Sequence, residues 1–454
     1  MDWTQKNILV VGCGISGIGA TELLEKMGAC PILYDENEKV EKETVKAKFS
    51  DETKAEIVIG KLPKEIEDKI QMVVLSPGVP SDTEFVASFR KREIPVIGEI
   101  ELAYLCGKGD VLAITGTNGK TTTTALTGKI MEDYYNSVFV VGNIGNPYTK
   151  AVLSMNDKSV TVAEISSFQL ETTQTFHPKV SAILNITPDH LDRHHTMEHY
   201  VEIKQRINRS QTWEDFCILN YEDPYTRAFS DHCRSKVVFF SSATVLKDGY
   251  YLLGEDIIHS FNGKTEKLLN IHEMKLLGKH NVENVMAAIA IAEAYGVPRS
   301  SILNTVRNFT AVEHRIEYVT SIHGVDYYND SKGTNPDAAI KGIQAMNRPT
   351  VLIGGGYDKE SEYDEWIESF NGKVTWLILL GQTKEKIAEC AKKHGFTNIV
   401  MVESLEEAVK ESYKKAQSGE AVLLSPACAS WGMFPNYEVR GKLFKEYVNK
   451  LKES

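Results

Sequence analysis

The sequence predicts an α/β protein of three domains. Short apolar runs that end in Gly, Ser, Asn or Asp recur along the chain, and amphipathic stretches separate them. This alternation is typical of buried parallel strands connected by helices. A chain of 454 residues also exceeds what one hydrophobic core usually holds. The runs are NILVVG, MVVLSPG, VLAITG, VFVVGN, VTVAEISS, VSAILNIT, TVLIGGG, WLILLG and AVLLSPA.

Two breaks in this pattern divide the chain. The segment CGKGD lies near residue 107 and NFTAVEHR lies near residue 311, and a new set of strands follows each. We therefore predict domains at 1–107, 108–311 and 312–454. Around residues 237–270, VVFFSS, YYLLG and DIIHSFNG predict short strands and turns, a β-rich excursion inside the middle domain.

The composition argues against several classes of protein. The net charge of −11 disfavours a nucleic-acid-binding protein, because phosphate backbones are held by surplus Lys and Arg. Seven scattered cysteines without a CxxC pair indicate free thiols of a reducing compartment. The start of the chain lacks the features of a signal peptide, and no apolar run approaches the roughly 20 residues of a membrane span. We expect a cytoplasmic protein that neither binds nucleic acid nor inserts into a membrane.

The segment VLAITGTNGKTTTT predicts an ATP site. It combines a strand, a Gly-rich turn and the start of a helix, where backbone N–H groups can surround phosphate oxygens. Lys120 would reach the β- and γ-phosphates, and the Thr121 hydroxyl would bind Mg²⁺. The spacing G-x-x-G-K-T is shorter than in the usual P-loop. The candidate ATP-binding residues of this segment are Gly116, Thr117, Asn118, Gly119, Lys120, Thr121 and Thr122.

A second Gly-rich turn lies near the N-terminus. Gly12, Gly14 and Gly17 form the pattern G-x-G-x-x-G, and Asp35 closes the next strand. This segment alone favours a nicotinamide or flavin cofactor and hence a dehydrogenase. The same kind of turn can hold the diphosphate of a UDP-sugar. The ATP site on another domain argues for this second interpretation.

Eight sequence blocks follow one another along the chain: GTNGKTT, GNIG, AEISSFQLE, NITPDHLDRH, GKHNVEN, EHRIE, NDSKGTNPDA and SPACASWGMFPNYEVRG. Together these blocks resemble those of the Mur ligases. They imply a Rossmann-like N-terminal domain, a P-loop-type central ATPase domain and a Rossmann-like C-terminal domain. They also imply an ATP-dependent amide ligase of peptidoglycan precursor synthesis that uses Mg²⁺.

Within the family, the DSK-x-TN and SPACAS blocks are similar to those of ligases that add D-glutamate to UDP-N-acetylmuramoyl-L-alanine. The DNPR-type motif of ligases that add a diamino acid is missing from the sequence. Two departures occur: Gly333 stands where the family often has Ala, and the C-terminal block contains Trp431-Gly432-Met433 where some members are polar. The second departure predicts a different rim of the amino-acid pocket. We expect the enzyme to be a monomer.

The implied reaction requires activation of a carboxylate by ATP through an acyl phosphate. The γ-phosphate of ATP and the attacking carboxylate are both anions and repel each other, so cations are needed at the site. The resemblance implies that Lys204 becomes a carbamate by adding CO₂, which turns a cation into a metal ligand. Without the resemblance, each of these side chains would be assigned to a solvated or hydrogen-bonded position. The implied catalytic residues are Lys120, Glu164, His190 and Lys204, and the implied Mg²⁺ ligands are Thr121, Glu164, His190 and the Lys204 carbamate.

The resemblance also implies three groups of ligand-binding residues. Asn284 would contact adenine, Arg315 the phosphates and Asp330 the ribose, with the third domain closing onto the second. Asn143 and Ser166 could act as turn caps instead of binding substrate. The residues implied for the UDP-linked substrate are Ile15, Ser16, Asp35, Glu36, Asn37, Gly78, Asn143, Ser166 and His190. Those implied for D-glutamate are Lys332, Thr334, Lys359, Ser430 and Tyr437.

Two other functions stay open on the sequence. The first is a related ligase with another acceptor or amino acid, such as a folylpolyglutamate synthase. The second is a dehydrogenase-like or non-catalytic nucleotide-binding protein. A D-glutamate-adding ligase releases ADP only when UDP-N-acetylmuramoyl-L-alanine and D-glutamate are both present. Neither of the two alternatives predicts this dependence.

Overall fold

The computed structural model describes residues 2–310 and 313–452 and contains three sheets, as the α/β prediction requires. The chain divides into two compact units. One unit comprises Met1–Ile271 and Glu283–Val306, and the other comprises His272–Val282 and Arg307–Ser454. The predicted boundary at residues 311 and 312 lies outside the described residues.

The first sheet has five parallel strands in the order β3-β2-β1-β4-β5, a Rossmann-like arrangement. Its central strands are buried because helices cover both faces. The strands are β1 (Asn7–Val11), β2 (Cys30–Asp35), β3 (Glu56–Ile59), β4 (Met72–Leu75) and β5 (Val96–Gly98). The helices are α1 (Ile15–Lys26), α2 (Lys42–Lys46), α3 (Lys64–Glu67), α4 (Glu84–Lys91) and α5 (Glu99–Cys106).

The second sheet has nine strands in the order β14-β13-β12-β11-β10-β9-β6-β8-β7. Antiparallel pairing of β12, β13 and β14 confirms the predicted β-rich excursion. The strands are β6 (Asp110–Thr115), β7 (Val138–Gly142), β8 (Val160–Glu164), β9 (Val180–Ile183), β10 (Phe216–Asn220), β11 (Lys236–Ser241), β12 (Gly249–Leu253), β13 (Asp256–Phe261) and β14 (Lys264–Asn270).

The helices that follow α5 in the central part of the chain are mostly short. The predicted helices that begin at Lys120 and that contain Lys204 are confirmed as α6 and α10. The helices of this part of the chain are α6 (Lys120–Glu132), α7 (Tyr148–Ala151), α8 (Ser167–Leu170), α9 (Leu191–His194), α10 (Met197–Gln205), α11 (Pro224–Phe229), α12 (Lys279–Tyr295) and α13 (Arg299–Asn308).

The third sheet has six strands in the order β15-β16-β20-β17-β18-β19, and only β15 pairs antiparallel among its described strands. The strands are β15 (Glu317–Ile322), β16 (Val325–Asn329), β17 (Thr350–Gly354), β18 (Val374–Leu379), β19 (Ile399–Met401) and β20 (Ala421–Leu424). The helices are α14 (Pro336–Ala345), α15 (Asp364–Glu368), α16 (Lys384–Lys393), α17 (Leu405–Lys415) and α18 (Tyr437–Lys450).

Alternation along the strands of the third sheet supplies two hydrophobic clusters, one on each face. Leu352 of β17 belongs to one cluster, whereas its neighbours Val351 and Ile353 belong to the other. This is the period of two that a strand buried on both faces requires. The third sheet is therefore covered on both sides, as in doubly wound folds.

The first two sheets share one hydrophobic cluster. It includes Ile8 and Val10 of β1, Val111 and Ala113 of β6, and the α5 residue Leu102. This shared cluster accounts for the inclusion of both sheets in one compact unit. Within the described part of the chain, no helix combines the length and apolar character needed to cross a lipid bilayer.

Candidate active site

The loop between β6 and α6 has the backbone shape of a phosphate-binding turn. Gly119 has φ of +84°, a left-handed conformation that favours glycine. A Cβ at this position would overlap the side-chain oxygen of Asn284, so the predicted adenine contact Asn284 packs against the loop. Lys120 begins α6, as predicted, and the N-terminus of this 13-residue helix faces the loop.

Asn185, which follows β9, holds this loop in place. The backbone N–H of Thr117 donates to the Asn185 carbonyl at 2.9 Å. The N–H of Asn118 donates to the Asn185 side-chain oxygen at 2.8 Å, and the Asn185 amide donates back to the Asn118 carbonyl at 3.1 Å. We did not predict this role, although Asn185 opens the block NITPDH.

Two lysines converge on the Gly116 carbonyl. Lys120 Nζ donates to this oxygen at 2.9 Å, and Lys204 Nζ donates to it at 2.8 Å. Lys204 is buried, and its Nζ lies 4.7 Å from the centre of the Tyr200 ring. Burial, reinforced by the charge of Lys120, lowers the pKa of Lys204 to about 7. A substantial fraction of this side chain is therefore a neutral amine near neutral pH.

Glu164 lies at the C-terminal end of β8, beside the strand that leads into the phosphate loop. Parallel pairing sets Glu164 opposite Ile114 of β6 and Gly142 of β7. Its Oε1 accepts a hydrogen bond from the Asn143 amide at 2.8 Å. Its Oε2 is buried and has no hydrogen-bond partner among residues 2–310 and 313–452. An orphaned carboxylate oxygen in a polar site is the arrangement expected of a cation ligand.

Ser166 lies just after β8 and His190 lies beyond the end of β9, and β6 separates these two strands in the sheet. His190 has φ of +52°, its side chain is exposed, and its ring centre lies 4.9 Å from that of Phe168. Ser166 caps α8 through a reciprocal pair of hydrogen bonds with Gln169. The capping alternative for Ser166 is thus confirmed, and its contact with substrate stays a prediction.

A cavity of about 550 Å³ joins the first Gly-rich turn to the GNIG block. Ile15, Ser16, Asp35, Gly78 and Asn143 line it, as expected of residues that share a ligand. Glu36 and Asn37 are exposed and lie outside this lining. The other lining residues are Gly12, Cys13, Gly14, Ser76, Pro77, Val79, Gly142, Gly145, Pro147 and Gln169.

Two lysines of the second compact unit (His272–Val282 and Arg307–Ser454), called the C-terminal unit below, lie over aromatic rings. Lys332 Nζ lies 5.6 Å from the centre of the Tyr437 ring, and Lys359 Nζ lies 4.7 Å from that of Trp431. Trp431 is exposed and also contacts Tyr357 edge to face at 5.6 Å between ring centres. Cation–π contacts of this kind restrain a flexible ammonium group. The unusual Trp431 of the C-terminal block therefore orients Lys359.

The remaining predicted residues of this unit differ in exposure. Ser430 is buried, Thr334 is partly buried and Arg315 is exposed. Asp330 is buried; its two carboxylate oxygens accept from Ser425 Oγ at 2.7 Å and from the Ile316 N–H at 3.3 Å. Burial raises the pKa of Asp330 to about 7.

The comparisons with known proteins agree along the whole chain. Residues 6–98 match the family model "Mur ligase MurD-like, N-terminal domain", residues 114–292 match "Mur ligase middle domain", and residues 314–428 match "Mur ligase, glutamate ligase domain". A curated UDP-N-acetylmuramoylalanine–D-glutamate ligase of Lachnoclostridium phytofermentans is 56% identical over 453 residues, which cover 100% of both chains. The protein of the same name from Lachnospira eligens is 57% identical over 99% of this chain and 100% of its own.

The chain belongs to the Mur ligase family. Solved Mur ligases share the fold of this chain. The MurC ligase of Thermotoga maritima superposes with a TM-score of 0.59 at 20% identity, covering 98% of this chain and 99% of its own. The MurF ligase of the same organism, solved in complex with ADP, has a TM-score of 0.56 at 17% identity, covering 99% and 96%.

Arg440 is a residue of this Mur ligase that we did not predict. It is buried in α18; its Nε and Nη2 donate to the Ser331 hydroxyl and carbonyl at 3.0 and 2.8 Å, and its Nη1 donates to the Cys428 carbonyl at 3.1 Å. It thereby joins the loop that contains Lys332 to the loop that contains Ser430. A single Arg on an amphipathic helix usually indicates an exposed position, so the sequence pattern did not reveal it.

Proposed function

We propose that the chain is an ATP-dependent ligase that joins D-glutamate to UDP-N-acetylmuramoyl-L-alanine in the cytoplasmic synthesis of peptidoglycan precursors. The relatives at 56% and 57% identity that carry this name support the proposal. The observation that carries it is the cavity of about 550 Å³ whose lining residue Asn143 is hydrogen-bonded to Glu164. This connection leads from a site for a UDP-linked substrate to a buried carboxylate beside the phosphate loop.

ATP would bind at the loop between β6 and α6. The Lys120 ammonium, folded back onto the Gly116 and Thr117 carbonyls, is close enough to turn outward toward a bound phosphate. The backbone N–H groups at the start of α6 would donate to the phosphate oxygens. Asn284, packed against Gly119, would face the nucleoside. The contacts of Arg315 and Asp330 with ATP stay predictions, as do the domain limits at 1–107, 108–311 and 312–454.

The donor set fits Mg²⁺. The buried Oε2 of Glu164 lacks a hydrogen-bond partner in the described chain, and oxygen ligands are those that Mg²⁺ prefers. Thr121, Glu164, His190 and a Lys204 carbamate would hold the ions. Bound Mg²⁺ would lower the repulsion between the substrate carboxylate and the γ-phosphate.

The UDP-linked substrate would occupy the cavity with its diphosphate at the first Gly-rich turn. Gly14 caps α1, a 12-residue helix whose positive end favours an anion. Asp35 accepts the Cys13 N–H at 3.0 Å and so stabilises the turn itself. Asn143 and His190 would then orient the L-alanyl carboxylate, while Glu36 and Asn37 would contact the uracil end.

The chemistry has two steps. A carboxylate oxygen of the L-alanyl group attacks the γ-phosphorus, the bond to the β-phosphate oxygen breaks, and ADP leaves. The amine of D-glutamate then attacks the acyl carbon, and inorganic phosphate leaves with the oxygen that bridged carbon and phosphorus. One proton from the amine is released to solvent, and the products are the amide, ADP and phosphate.

Lys204 would act as a carbamate. Its neutral amine adds to CO₂ and loses one proton, and the product is an anion with two oxygen atoms. The lowered pKa of about 7 supports this step, because only the unprotonated amine reacts. The Lys120 ammonium shares the Gly116 carbonyl with Lys204 and disfavours the protonated form of Lys204, which keeps the reactive amine available.

D-glutamate would bind in the C-terminal unit. Its two carboxylates require cationic or hydroxyl partners, and Lys332, Lys359, Ser430, Tyr437 and Thr334 offer them. Lys359, restrained over Trp431, would meet the side-chain carboxylate. We infer that the enzyme acts as a monomer.

The test is release of ADP by the purified chain with UDP-N-acetylmuramoyl-L-alanine and one of D-Glu, L-Glu, D-Asp or L-Lys. We expect turnover with D-Glu alone among these amino acids. Lys120→Ala and Glu164→Ala should each lose on the order of 10³-fold in rate, whereas the exposed control Lys129→Ala should not. Turnover with another amino acid, or full activity of both variants, would refute the proposal.

A further inference from the structure

A group of side chains of metal-binding types lies on the surface of the C-terminal unit, and it includes none of the residues proposed to bind D-glutamate. Asp364 of α15, Cys390 of α16 and His394, which caps the end of α16, each offer a ligand atom within 4.8 Å of the others. Cys390 and His394 are four residues apart, so they project from the same side of the helix. Asp364 belongs to a different helix.

We propose that Asp364, Cys390 and His394 bind a zinc-like divalent transition-metal ion that connects α15 to α16. One thiol, one imidazole and one carboxylate form a ligand set that suits Zn²⁺ and Co²⁺. Mg²⁺ prefers oxygen ligands only, so this site differs in chemistry from the one at Glu164. Three protein ligands leave a fourth position for water.

The distances are compatible with such an ion. His394 Nε2 and Asp364 Oδ1 are hydrogen-bonded at 2.9 Å. Two ligands that are about 2.0–2.1 Å from a tetrahedral ion lie about 3.3 Å apart, so this pair must separate by a few tenths of an ångström. The widest pair, at up to 4.8 Å, must approach by about 1 Å. Rotation of exposed side chains allows movements of this size.

Glu368 supplies an independent observation. Its Oε1 lies 3.7 Å from His394 Nδ1, the ring nitrogen that faces away from Asp364. Histidine ligands of metal ions commonly donate this second N–H to a carboxylate, which fixes the ring and the tautomer. The two ring nitrogens of His394 therefore face two different carboxylates, Asp364 at hydrogen-bond distance and Glu368 at 3.7 Å, from which a small rotation of the exposed Glu368 side chain would form the supporting hydrogen bond.

The experiment is a titration of the full chain, without a polyhistidine tag and in saturating Mg²⁺, with Co²⁺. We expect one equivalent of Co²⁺ to produce a thiolate-to-cobalt charge-transfer band and the visible bands of a tetrahedral ion, which Zn²⁺ abolishes. Cys390→Ser should lose the charge-transfer band, and the exposed variant His394→Asn should lose the visible bands. Cys30→Ser, which alters an exposed cysteine outside this group, should keep both.

A second measurement covers the case in which Cys390→Ser fails to fold. In the unaltered chain, Zn²⁺ should slow the reaction of Cys390 with a thiol reagent, with the modified residue identified by mass spectrometry, and Mg²⁺ should not. Absence of the band, its persistence in Cys390→Ser, or equal reactivity of Cys390 with and without Zn²⁺ would overturn the proposal. In that case Asp364 and His394 form an ion pair only.

Discussion

Burial and a neighbouring ammonium act in the same direction on Lys204. Both disfavour its charged form, and together they lower its pKa to about 7. An ordinary helical lysine has neither influence. The sequence could not reveal this environment, because the carbonyl and the ammonium that surround Lys204 come from the loop at residues 116–120, remote along the chain.

Lys204→Ala should lose activity on the order of 10²-fold or more, since the proposed metal ligand would be missing. Acetate or another small carboxylate should restore part of the rate by occupying the space of the carbamate. The measurement is ADP release with increasing acetate. Lys129→Ala, an exposed lysine on α6, is the control and should respond to acetate no more than the unaltered chain. No rescue at any concentration would contradict the carbamate.

Glu99, at the start of α5, predicts a pH dependence of stability. Its buried carboxyl accepts from the backbone N–H and the hydroxyl of Thr149 at 3.4 and 3.3 Å, and burial raises its pKa to about 7. The unfolded chain ionises near the ordinary value of 4.5. The stability that Glu99 contributes is therefore complete below 4.5 and is lost as the pH rises through 7.

The Glu99→Gln variant should remove this dependence, since an amide oxygen can still accept from Thr149. Between about pH 5 and about pH 8, the unaltered chain should lose about 1–3 kcal/mol more than the variant. The midpoint of urea unfolding at the two pH values measures the difference. The exposed substitution Glu132→Gln should behave as the unaltered chain. Equal changes in Glu99→Gln and the unaltered chain would show that Glu99 does not titrate as described.

The phosphate loop is held at two points, and each depends on a different part of the fold. Asn185 binds it from the end of β9, and Asn284 packs against Gly119 from α12. The loop and its helix were predictable because glycine spacing has a local cause. The two asparagines were not predictable as loop contacts, since their roles depend on which strands and helices become neighbours.

Gly119→Ala should reduce activity on the order of 10²-fold, because a Cβ would overlap Asn284 and displace the loop. The left-handed φ of +84° adds strain. Gly254→Ala is the matched control: it also has a positive φ, of +59°, but a Cβ there has open space. Steady-state rates with varied ATP check the prediction. Similar losses in both variants would indicate general strain rather than displacement of the loop.

Arg440 should act as a positioning residue for the amino-acid site. Arg440→Lys keeps the charge but cannot make three directed hydrogen bonds, so about 2–4 kcal/mol of stability should be lost. The KM for D-glutamate should rise roughly tenfold while the KM for UDP-N-acetylmuramoyl-L-alanine, which is proposed to bind the N-terminal sheet, stays constant. The conservative exposed change Lys442→Arg on the same helix should alter neither. An equal rise in both KM values would indicate a general structural role.

The sequence predicted strands in each of the three sheets, such as β1, β6 and β17, but it did not predict β10, β15 or β16, and it did not predict how the sheets are grouped. Apolar runs such as NILVVG and TVLIGGG predict buried strands because burial of backbone and side chains has a local pattern. The cluster shared by Ile8, Leu102 and Val111 arises only when α5 packs between two sheets. A contact of this kind joins segments that are remote in sequence, so no local pattern in a single sequence predicts it.

Some residues of the candidate site were predicted from local motifs, whereas others depend on contacts between remote segments and were not. The residue types at strand ends, such as Glu164 and Asn143, were predictable from the motifs, and their hydrogen bond is consistent with that prediction. Arg440 was missed because helix α18 buries it against two loops, not against a carboxylate. The net charge of −11 predicts that anionic substrates meet local cations, and Lys120, Lys332 and Lys359 are the cations that we assign to this role.

The central claim is that ATP phosphorylates the substrate carboxylate. UDP-N-acetylmuramoyl-L-alanine with ¹⁸O in both oxygens of its terminal carboxylate tests this claim directly, because the bridging oxygen of an acyl phosphate leaves with phosphorus. With D-glutamate and ATP present, mass spectrometry of the released phosphate should detect one ¹⁸O atom per phosphate. Product formation with unlabelled phosphate would contradict the mechanism.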